Sequence, residues 1–319
     1  MRIALTGASG FVGRCLLGEL LEAKHQVTAV LRKHADGVDT RASLRVIDDF
    51  ASSLSWGAFL QGQDVVVHCA ARVHVMNDTS SDPLVEFRKV NHGGTLNLAR
   101  QAAAAGVRRF IFISSIKVNG EGTAPGQPYK ADDDLAPLDP YGVSKMEAEQ
   151  GLRALAAKTG MEVVIIRPVL VYGPGVKANF LSMMRWLHKG VPLPFGAIHN
   201  RRSLVALDNL VDLIVTCLDH PDAANQAFLV SDGEDLSTSE LLRRMGAALG
   251  KPARLLPVPS RLLEAGAAML GKKALSQRLC GSLQVDISKT RELLNWTPPV
   301  SVDDALRETA KHFLEQYAK

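Results

Sequence analysis

The chain has few cysteines, and none of them is spaced as a metal site or a disulfide framework requires. Four occur in 319 residues, without a CxxC pair, at Cys15, Cys69, Cys217 and Cys280. We expect buried free thiols in a reducing compartment, which predicts a cytoplasmic location. His68 and His74 have no acidic or cysteine neighbours at ligand spacing, so no metal is expected.

Long apolar runs and a strong charge of one sign are also missing. No run of about 18 apolar residues occurs, so no membrane span is expected, and the apolar start at residues 1–7 is too short for a signal peptide. The net charge is only +4, with acids and bases interleaved. This balance indicates neither a nucleic-acid nor a membrane surface, although a local basic pocket for a phosphate-bearing substrate stays compatible with it. Apolar residues make up 46% of the chain, which suffices for a core of normal size.

What the sequence does contain is an alternation of short β-rich runs with helical patterns. Strands are predicted at residues 3–6, 26–31, 43–47, 64–69, 109–114 and 162–167, and helices at residues 12–23, 53–60, 82–105 and 139–158. This βαβα order predicts an α/β fold, a Rossmann-like doubly wound parallel sheet, in residues 1–170. Residues 171–202 and 232–319 are expected to form a smaller, mostly helical substrate lobe, while residues 203–231 return to the Rossmann domain. The substrate is expected in the cleft between them.

A glycine-rich turn joins the first predicted strand to the first predicted helix, with glycines at Gly7, Gly10 and Gly13. Gly7 permits the tight turn, Gly10 lets the backbone approach a pyrophosphate, and Gly13 lets the helix pack closely on the sheet. The helix N-terminus then offers free N–H groups and a positive dipole end to the phosphates. A GxxGxxG spacing is weak evidence by itself, but in this strand–turn–helix context it predicts a dinucleotide site.

The residue at the end of the second predicted strand indicates which of the two nicotinamide cofactors binds. An acid at this point binds the hydroxyls of the adenosine ribose, whereas this chain has Arg32 there. An arginine can pair with a 2′-phosphate, so NADP(H) is expected in preference to NAD(H). NAD(H) is the alternative if Arg32 is an ordinary solvated side chain. Asp49, after the third strand, is a candidate partner of the adenine amino group or a solvated loop acid.

Tyr141 and Lys145 are four residues apart at the start of a predicted helix, so their side chains share one face. A phenol is a poor acid or base at neutral pH, and a neighbouring ammonium group is expected to lower its pKa. Ser115 follows the fifth strand, at the sheet edge where ligands bind. It can donate a hydrogen bond to a substrate oxygen that gains negative charge, or it simply caps the strand end.

These motifs, with residues 167–175, resemble the extended short-chain dehydrogenase/reductases and, more narrowly, the NAD-dependent epimerase/dehydratase family of nucleotide-sugar enzymes. The resemblance covers essentially the whole chain. It implies a catalytic triad, matched by Ser115, Tyr141 and Lys145, and a supporting role for Asn91. The remaining cofactor contacts that we expect are Ser9, Phe11, Val12, Phe50, Cys69, Ala70, Ala71 and Pro168.

The resemblance also implies a UDP-sugar or another nucleotide sugar as substrate. Asn179 and Arg202 match family positions that contact its diphosphate, with Arg201 as a competing match for Arg202. The second family arginine has no firm match, and Arg278 is a guess. A homodimer through residues 82–105 and 139–158 is a further hypothesis.

Three hypotheses cover the reaction. Family 4,6-dehydratases typically carry Asp and Glu after the triad Ser or Thr, and this chain has Ile116 and Lys117, which disfavours dehydration. A reductase consumes exchangeable NADPH, which fits Arg32. Residues 114–121 and 171–180 look most like reductases of UDP-4-keto-6-deoxy-N-acetylhexosamines, and this resemblance implies reduction of the 4-keto group of such a sugar, for surface polysaccharide synthesis. The alternative is a UDP-hexose or UDP-N-acetylhexosamine 4-epimerase with tightly bound NAD. A non-catalytic dinucleotide-sensing module is the third.

Overall fold

The computed structural model describes residues 1–32, 38–47, 50, 54–73, 82–124, 126–269, 271 and 273–317. Its first part alternates strands and helices, in the order β1 (Arg2–Thr6), α1 (Phe11–Glu22), β2 (Gln26–Leu31), β3 (Ser43–Val46), α2 (Gly57–Leu60), β4 (Val65–His68), α3 (Pro83–Phe87), α4 (Thr95–Ala104), β5 (Arg109–Ile113), α5 (Pro140–Thr159) and β6 (Glu162–Pro168). A π-helical segment, Arg88–Gly94, joins α3 to α4, so the helix predicted at 82–105 contains a wider turn. A 3-10 turn, Ile116–Val118, follows β5.

The second part is mostly helical. Its elements are β7 (Leu170–Tyr172), α6 (Ala178–His188), β8 (Arg202–Ala206), α7 (Leu207–Thr216), β9 (Ala227–Val230), β10 (Asp235–Leu236), α8 (Thr238–Ala248), α9 (Ser260–Met269), α10 (Lys273–Cys280), α11 (Ser288–Leu294) and α12 (Val302–Tyr317). Within the described ranges, no helix combines the length and the apolar character that a membrane crossing needs.

Seven strands form one sheet in the order β3–β2–β1–β4–β5–β6–β9, and every neighbouring pair is parallel. β4 and β5 are buried along their whole length, because helices cover both faces, and this explains their nearly continuous apolar sequence. The predicted Rossmann-like, doubly wound sheet is confirmed. The strand order reverses between β1 and β4, so the crevice for a ligand lies at the carboxyl ends of these two strands.

Apolar side chains form one core on each face of the large sheet and a third core in the C-terminal part. α1 and α7 pack together on one face, and α4 and α5 pack together on the other. β7, β8 and β10 form a separate three-stranded sheet in the order β10–β8–β7.

The segment 203–231 therefore divides between the two sheets. β9 joins the large sheet and α7 covers it, whereas β8 pairs with β7 and β10. The boundaries of the substrate lobe and the homodimer remain predictions.

Candidate active site

The three residues of the predicted triad meet at the carboxyl edge of the large sheet. Ser115 comes shortly after β5, and α5 carries Tyr141 in its first turn and Lys145 one turn later. α5 begins here because Asp139 accepts a hydrogen bond from Gly142 N at 2.6 Å and a proline occupies the first helical position. The side chains of Ser115 and Tyr141 are hydrogen-bonded to each other.

Lys145 is buried against the end of β5. Its Nζ donates to Ile113 O at 2.8 Å and lies 4.3 Å from the centroid of the Phe112 ring. Burial lowers the pKa of Lys145 to about 7, and the nearby Cys69 and Glu149 oppose this decrease. An amine with this pKa gains and loses its charge close to neutral pH.

Tyr141 departs from the expectation that its pKa is lowered. Burial raises the pKa of Tyr141 to about 12, Asp139 adds to the increase, and the hydrogen bond with Ser115 opposes it. Burial has the largest effect because an unsolvated phenolate is costly. At neutral pH Tyr141 is therefore a phenol that can donate a proton.

Lys117, where the dehydratases carry an acid, ties the turn after β5 to the start of α5. Its Nζ forms ion pairs with Asp139 and, at 3.0 Å, with Glu121. Since the charge of Asp139 raises the pKa of Tyr141, the cation of Lys117 partly offsets that effect. The sequence showed only that Lys117 replaces the acid of the dehydratases. Its pairing with Asp139 could not be predicted, because the two residues are 22 positions apart.

Asn91 supports the site from the π-helical segment, as the family resemblance implies. Its buried amide accepts a hydrogen bond from Arg72 N at 2.8 Å and donates to Arg72 O at 3.0 Å. It also donates to Ser144 Oγ at 3.1 Å, which donates in turn to Tyr141 O at 2.8 Å. Asn91 thus holds the loop after β4 against the first turn of α5.

A buried ion pair that was not predicted from the sequence lies beneath the triad. Arg167, on β6, binds Glu149 of α5 through Nε at 3.0 Å and Nη2 at 2.6 Å, and both side chains are buried. Ser114 Oγ donates to the same carboxylate at 2.5 Å, and Arg167 also donates to Asn119 Oδ1 at 3.2 Å. The pair fixes α5 to β5 and β6. The only signal in the sequence is the position of Glu149 one helical turn after Lys145, which places both side chains on one face of α5.

His68 is buried behind Lys145. Its Nδ1 lies 2.6 Å from Thr6 Oγ1, its Nε2 lies 2.9 Å from Thr95 Oγ1, and its ring stacks on Phe112. Burial, followed by the charge of Lys145, lowers the pKa of His68 to about 3. His68 is thus a neutral core side chain, and His74 lies outside the described residues. In the part of the chain that the structure describes, no three His, Cys, Asp or Glu side chains are grouped as a metal site.

The glycine-rich turn has the shape that a dinucleotide requires. Gly7 has φ +73°, and a Cβ there would lie 2.7 Å from Ala70 N, so only glycine fits. A Cβ on Gly13 would lie 2.2 Å from Gly7 O, whereas one on Gly10 would meet nothing closer than Gly7 O at 3.1 Å. Gly10 is exposed and caps α1 without a side-chain hydrogen bond. The free N–H groups and open backbone at this helix end fit a pyrophosphate.

The other predicted cofactor residues differ in how exposed they are. Ser9 is exposed beside Gly10, Phe11 and Val12 open α1, Cys69, Ala70 and Ala71 follow β4 half-buried, and Pro168 ends β6. Arg32 is exposed directly after β2. Phe50 is buried, with its ring near Trp56 and His68, and Asp49 lies outside the described residues. Cofactor contacts at these positions remain predictions.

Two of the candidate diphosphate residues, Arg202 and Arg278, interact electrostatically. Arg202, on β8, donates to Gly281 O at 3.0 Å, and its pKa is lowered by burial and by the charge of Arg278 on α10. Two guanidinium groups within electrostatic reach suit a diphosphate, and the role of Arg278 stays a prediction. Arg201 is exposed, and so is Asn179 in the first turn of α6. Among the described residues, no hydrogen bond links Asn179 to Arg202 or to the triad.

Comparison with known proteins gives three findings. The model of the NAD dependent epimerase/dehydratase family matches residues 3–231. A UDP-glucose 4-epimerase of Vibrio cholerae is 53% identical over 314 residues, which cover 98% of this chain and 95% of that protein. Two solved structures share the fold with a TM-score of 0.79: UDP-glucuronic acid 4-epimerase from Bacillus cereus in complex with NAD (21% identical, covering 99% of this chain and 100% of that one) and UDP-glucose 4-epimerase from Thermotoga maritima with UDP-glucose (22% identical, covering 99% of each chain).

Proposed function

The chain belongs to the NAD-dependent epimerase/dehydratase family, and we propose that it is a UDP-hexose 4-epimerase that works with NAD(H). The observation that carries the proposal is the hydrogen-bonded pair of Ser115 and Tyr141 at the carboxyl edge of the sheet, beside the buried Lys145. The Vibrio cholerae relative supports the reaction and the substrate class. Its activity favours the hypothesis that was the alternative from the sequence over the main prediction of 4-keto reduction.

The side chains of the site handle the proton of the sugar hydroxyl at C4. When bound, NAD supplies reversible hydride transfer at that carbon. The deprotonated form of Tyr141, which the charged Lys145 and the hydrogen bond from Ser115 favour, takes the hydroxyl proton as the alcohol is oxidised. The resulting phenol returns this proton to the same oxygen when the keto group is reduced from its other face. Ser115 holds that oxygen with a hydrogen bond, and its bond to Tyr141 opposes the increase in the pKa of the phenol.

Lys145 and the two arginines complete the proposed site. Since burial lowers the pKa of Lys145 to about 7, its positive charge is present below neutral pH and is progressively lost above it. In the charged form it favours the phenolate of Tyr141. Arg202 and Arg278 bind the diphosphate, so the nucleotide stays fixed while the sugar rotates and presents its other face to the cofactor.

The 4-keto reductase is the second candidate, because one observation favours it. Arg32 stands exposed after β2, where an acid would bind the ribose hydroxyls of NAD. An arginine there suits the 2′-phosphate of NADP(H). A reductase would consume NADPH from solution, whereas a 4-epimerase recycles its dinucleotide within each turnover, so cofactor demand separates the two hypotheses.

The experiment compares turnover with and without added cofactor. Purified protein is incubated with UDP-glucose, UDP-galactose and their N-acetyl forms without added dinucleotide, and the sugars are followed by NMR. We expect the gluco and galacto forms to interconvert, and NAD to be released on denaturation. NADPH oxidation by a UDP-4-keto-6-deoxy sugar, with no interconversion of any UDP-hexose, would instead establish the second candidate.

A pair of tyrosine variants tests the role of Tyr141 in either reaction. Tyr141→Phe is expected to lower kcat at least about a hundredfold, the usual contribution of a positioned acid or base, while cofactor binding stays near wild type. Tyr317→Phe, which changes an exposed tyrosine at the end of α12, is the matched control. Near-normal turnover of Tyr141→Phe would refute the mechanism.

A further inference from the structure

The charge of this chain is distributed unevenly. Residues 241–285 contain eight of its 37 Lys and Arg residues but only one of its 33 Asp and Glu residues, Glu264. This segment therefore carries a formal charge of +7 in a chain whose net charge is +4, and the remaining residues together carry −3. A basic segment of this kind attracts an anionic surface.

Several cations of this segment are not neutralised by neighbouring acids. Arg243 and Arg244, on α8, form ion pairs with acidic side chains. Lys251, Arg254 and Arg261 are exposed, and none of them forms an ion pair with any carboxylate that the structure describes. Their charges remain available to a partner outside the chain.

The helix within this segment exposes its apolar face. α9 has ten residues and none of them is buried. Leu262, Ala265, Gly266 and Met269 follow the i, i+3, i+4, i+7 spacing of one helical stripe, and all four are exposed, Leu262 by 63% and Met269 by 90%. A surface helix normally turns such a stripe toward the core. The preceding Leu256, 52% exposed, adds to the apolar surface.

We propose that α9 docks this protein on an anionic phospholipid bilayer. The apolar stripe inserts at the boundary between headgroups and acyl chains, and Lys251, Arg254 and Arg261 lie against the lipid phosphates. The stripe has only two large side chains, so apolar insertion and charge are both needed for binding. This inference concerns a surface outside the candidate active site and does not depend on the proposed reaction.

A bilayer fits this surface better than a second copy of the chain. In a two-fold dimer the same patch would face itself, and the exposed cations Lys251, Arg254 and Arg261 of the two copies would repel each other. α10 packs against α9 and carries Arg278. Docking would therefore hold the proposed diphosphate-binding arginine close to the bilayer.

The test is flotation of the full-length protein with vesicles. We expect binding to vesicles of phosphatidylcholine with about 30% phosphatidylglycerol, little binding to phosphatidylcholine alone, and loss of binding at high salt. Leu262→Gln with Met269→Gln should weaken binding on the order of tenfold or more, and so should Arg254→Gln with Arg261→Gln. The matched control, Leu138→Gln with Leu293→Gln, changes exposed leucines elsewhere and should bind as wild type does.

Three results would overturn the proposal. The first is no binding of the wild-type protein to anionic vesicles at low salt. The second is equal binding by the stripe variant and the control variant. The third, from sedimentation velocity without lipid, is a wild-type oligomer that the stripe substitutions dissociate, because the stripe would then be covered by a second copy of the chain.

Discussion

Lys145 should destabilise the folded protein at neutral pH, and replacing it should reveal by how much. In the folded, cofactor-free protein the pKa of Lys145 is lowered from 10.5 to about 7, chiefly by burial. Each pKa unit corresponds to about 1.4 kcal/mol between the two protonation states. Folding a chain with this lysine therefore costs about 4 kcal/mol at pH 7 and about 2 kcal/mol at pH 9.

The sign follows from proton binding. Between pH 7 and pH 10.5 the unfolded chain keeps the proton of Lys145 and the folded chain loses it, so this contribution to stability rises with pH. Lys145→Met removes the dependence. It also leaves Ile113 O without its donor, which costs about 1–3 kcal/mol at either pH. The variant is therefore expected to be about 1–3 kcal/mol more stable than wild type at pH 7, and that advantage should shrink by about 2 kcal/mol at pH 9.

The assay is urea denaturation of both cofactor-free proteins at pH 7 and pH 9, followed by tryptophan fluorescence. In the folded protein the pKa of His68 is lowered to about 3, and those of Cys69 and Tyr141 are raised to about 12, so these buried groups do not titrate there between the two pH values. Their titration in the unfolded chain is common to the wild type and the variant and cancels in the comparison. Lys158→Met, at an exposed position on α5, is the control and should show no such change. An advantage of the variant that stays constant or grows toward pH 9 would refute the reasoning.

Two further predictions concern charges around the triad. Glu149→Gln leaves the buried guanidinium of Arg167 without its anion and should lower the free energy of unfolding by about 3–5 kcal/mol in urea denaturation; a loss below about 1 kcal/mol would contradict the importance of the pair. Lys117→Met removes the cation beside Asp139, whose charge raises the pKa of Tyr141. The pH at which kcat/KM rises should therefore move upward, Lys117→Arg should restore it, and an unchanged or lowered value would be evidence against the offset.

The large sheet was predictable because most of its strands are nearly continuous apolar runs that alternate with helical patterns. The first five strands start within one residue of their predicted positions. The partners of β8 were not predictable, because strand pairing in the C-terminal part depends on contacts across long stretches of chain, such as Arg202 with Leu236. Alternation alone carries no information about such a partner.

The candidate site also contains some features that local sequence predicts and others that only the structure shows. Gly7, Tyr141 and Lys145 are recognisable because turn geometry and helical spacing are local properties. The pairing of Glu149 with Arg167 and the contacts of Asn91 with Arg72 are not local, since they join separate elements. The raised pKa of Tyr141 also had to come from the structure, because the cost of burying a phenolate depends on every atom packed around it.

The basic segment shows why a sum over the whole chain is a poor guide to a surface. A net charge of +4 argued against a membrane surface, yet +7 of charge is concentrated in 45 residues and offset elsewhere. Electrostatic attraction to a bilayer decays within about 8 Å at physiological salt, so only charges close to the contact act on it. The cations close to α9 therefore decide the interaction, and the net charge of −3 on the remaining residues matters only where it lies within that distance of the bilayer.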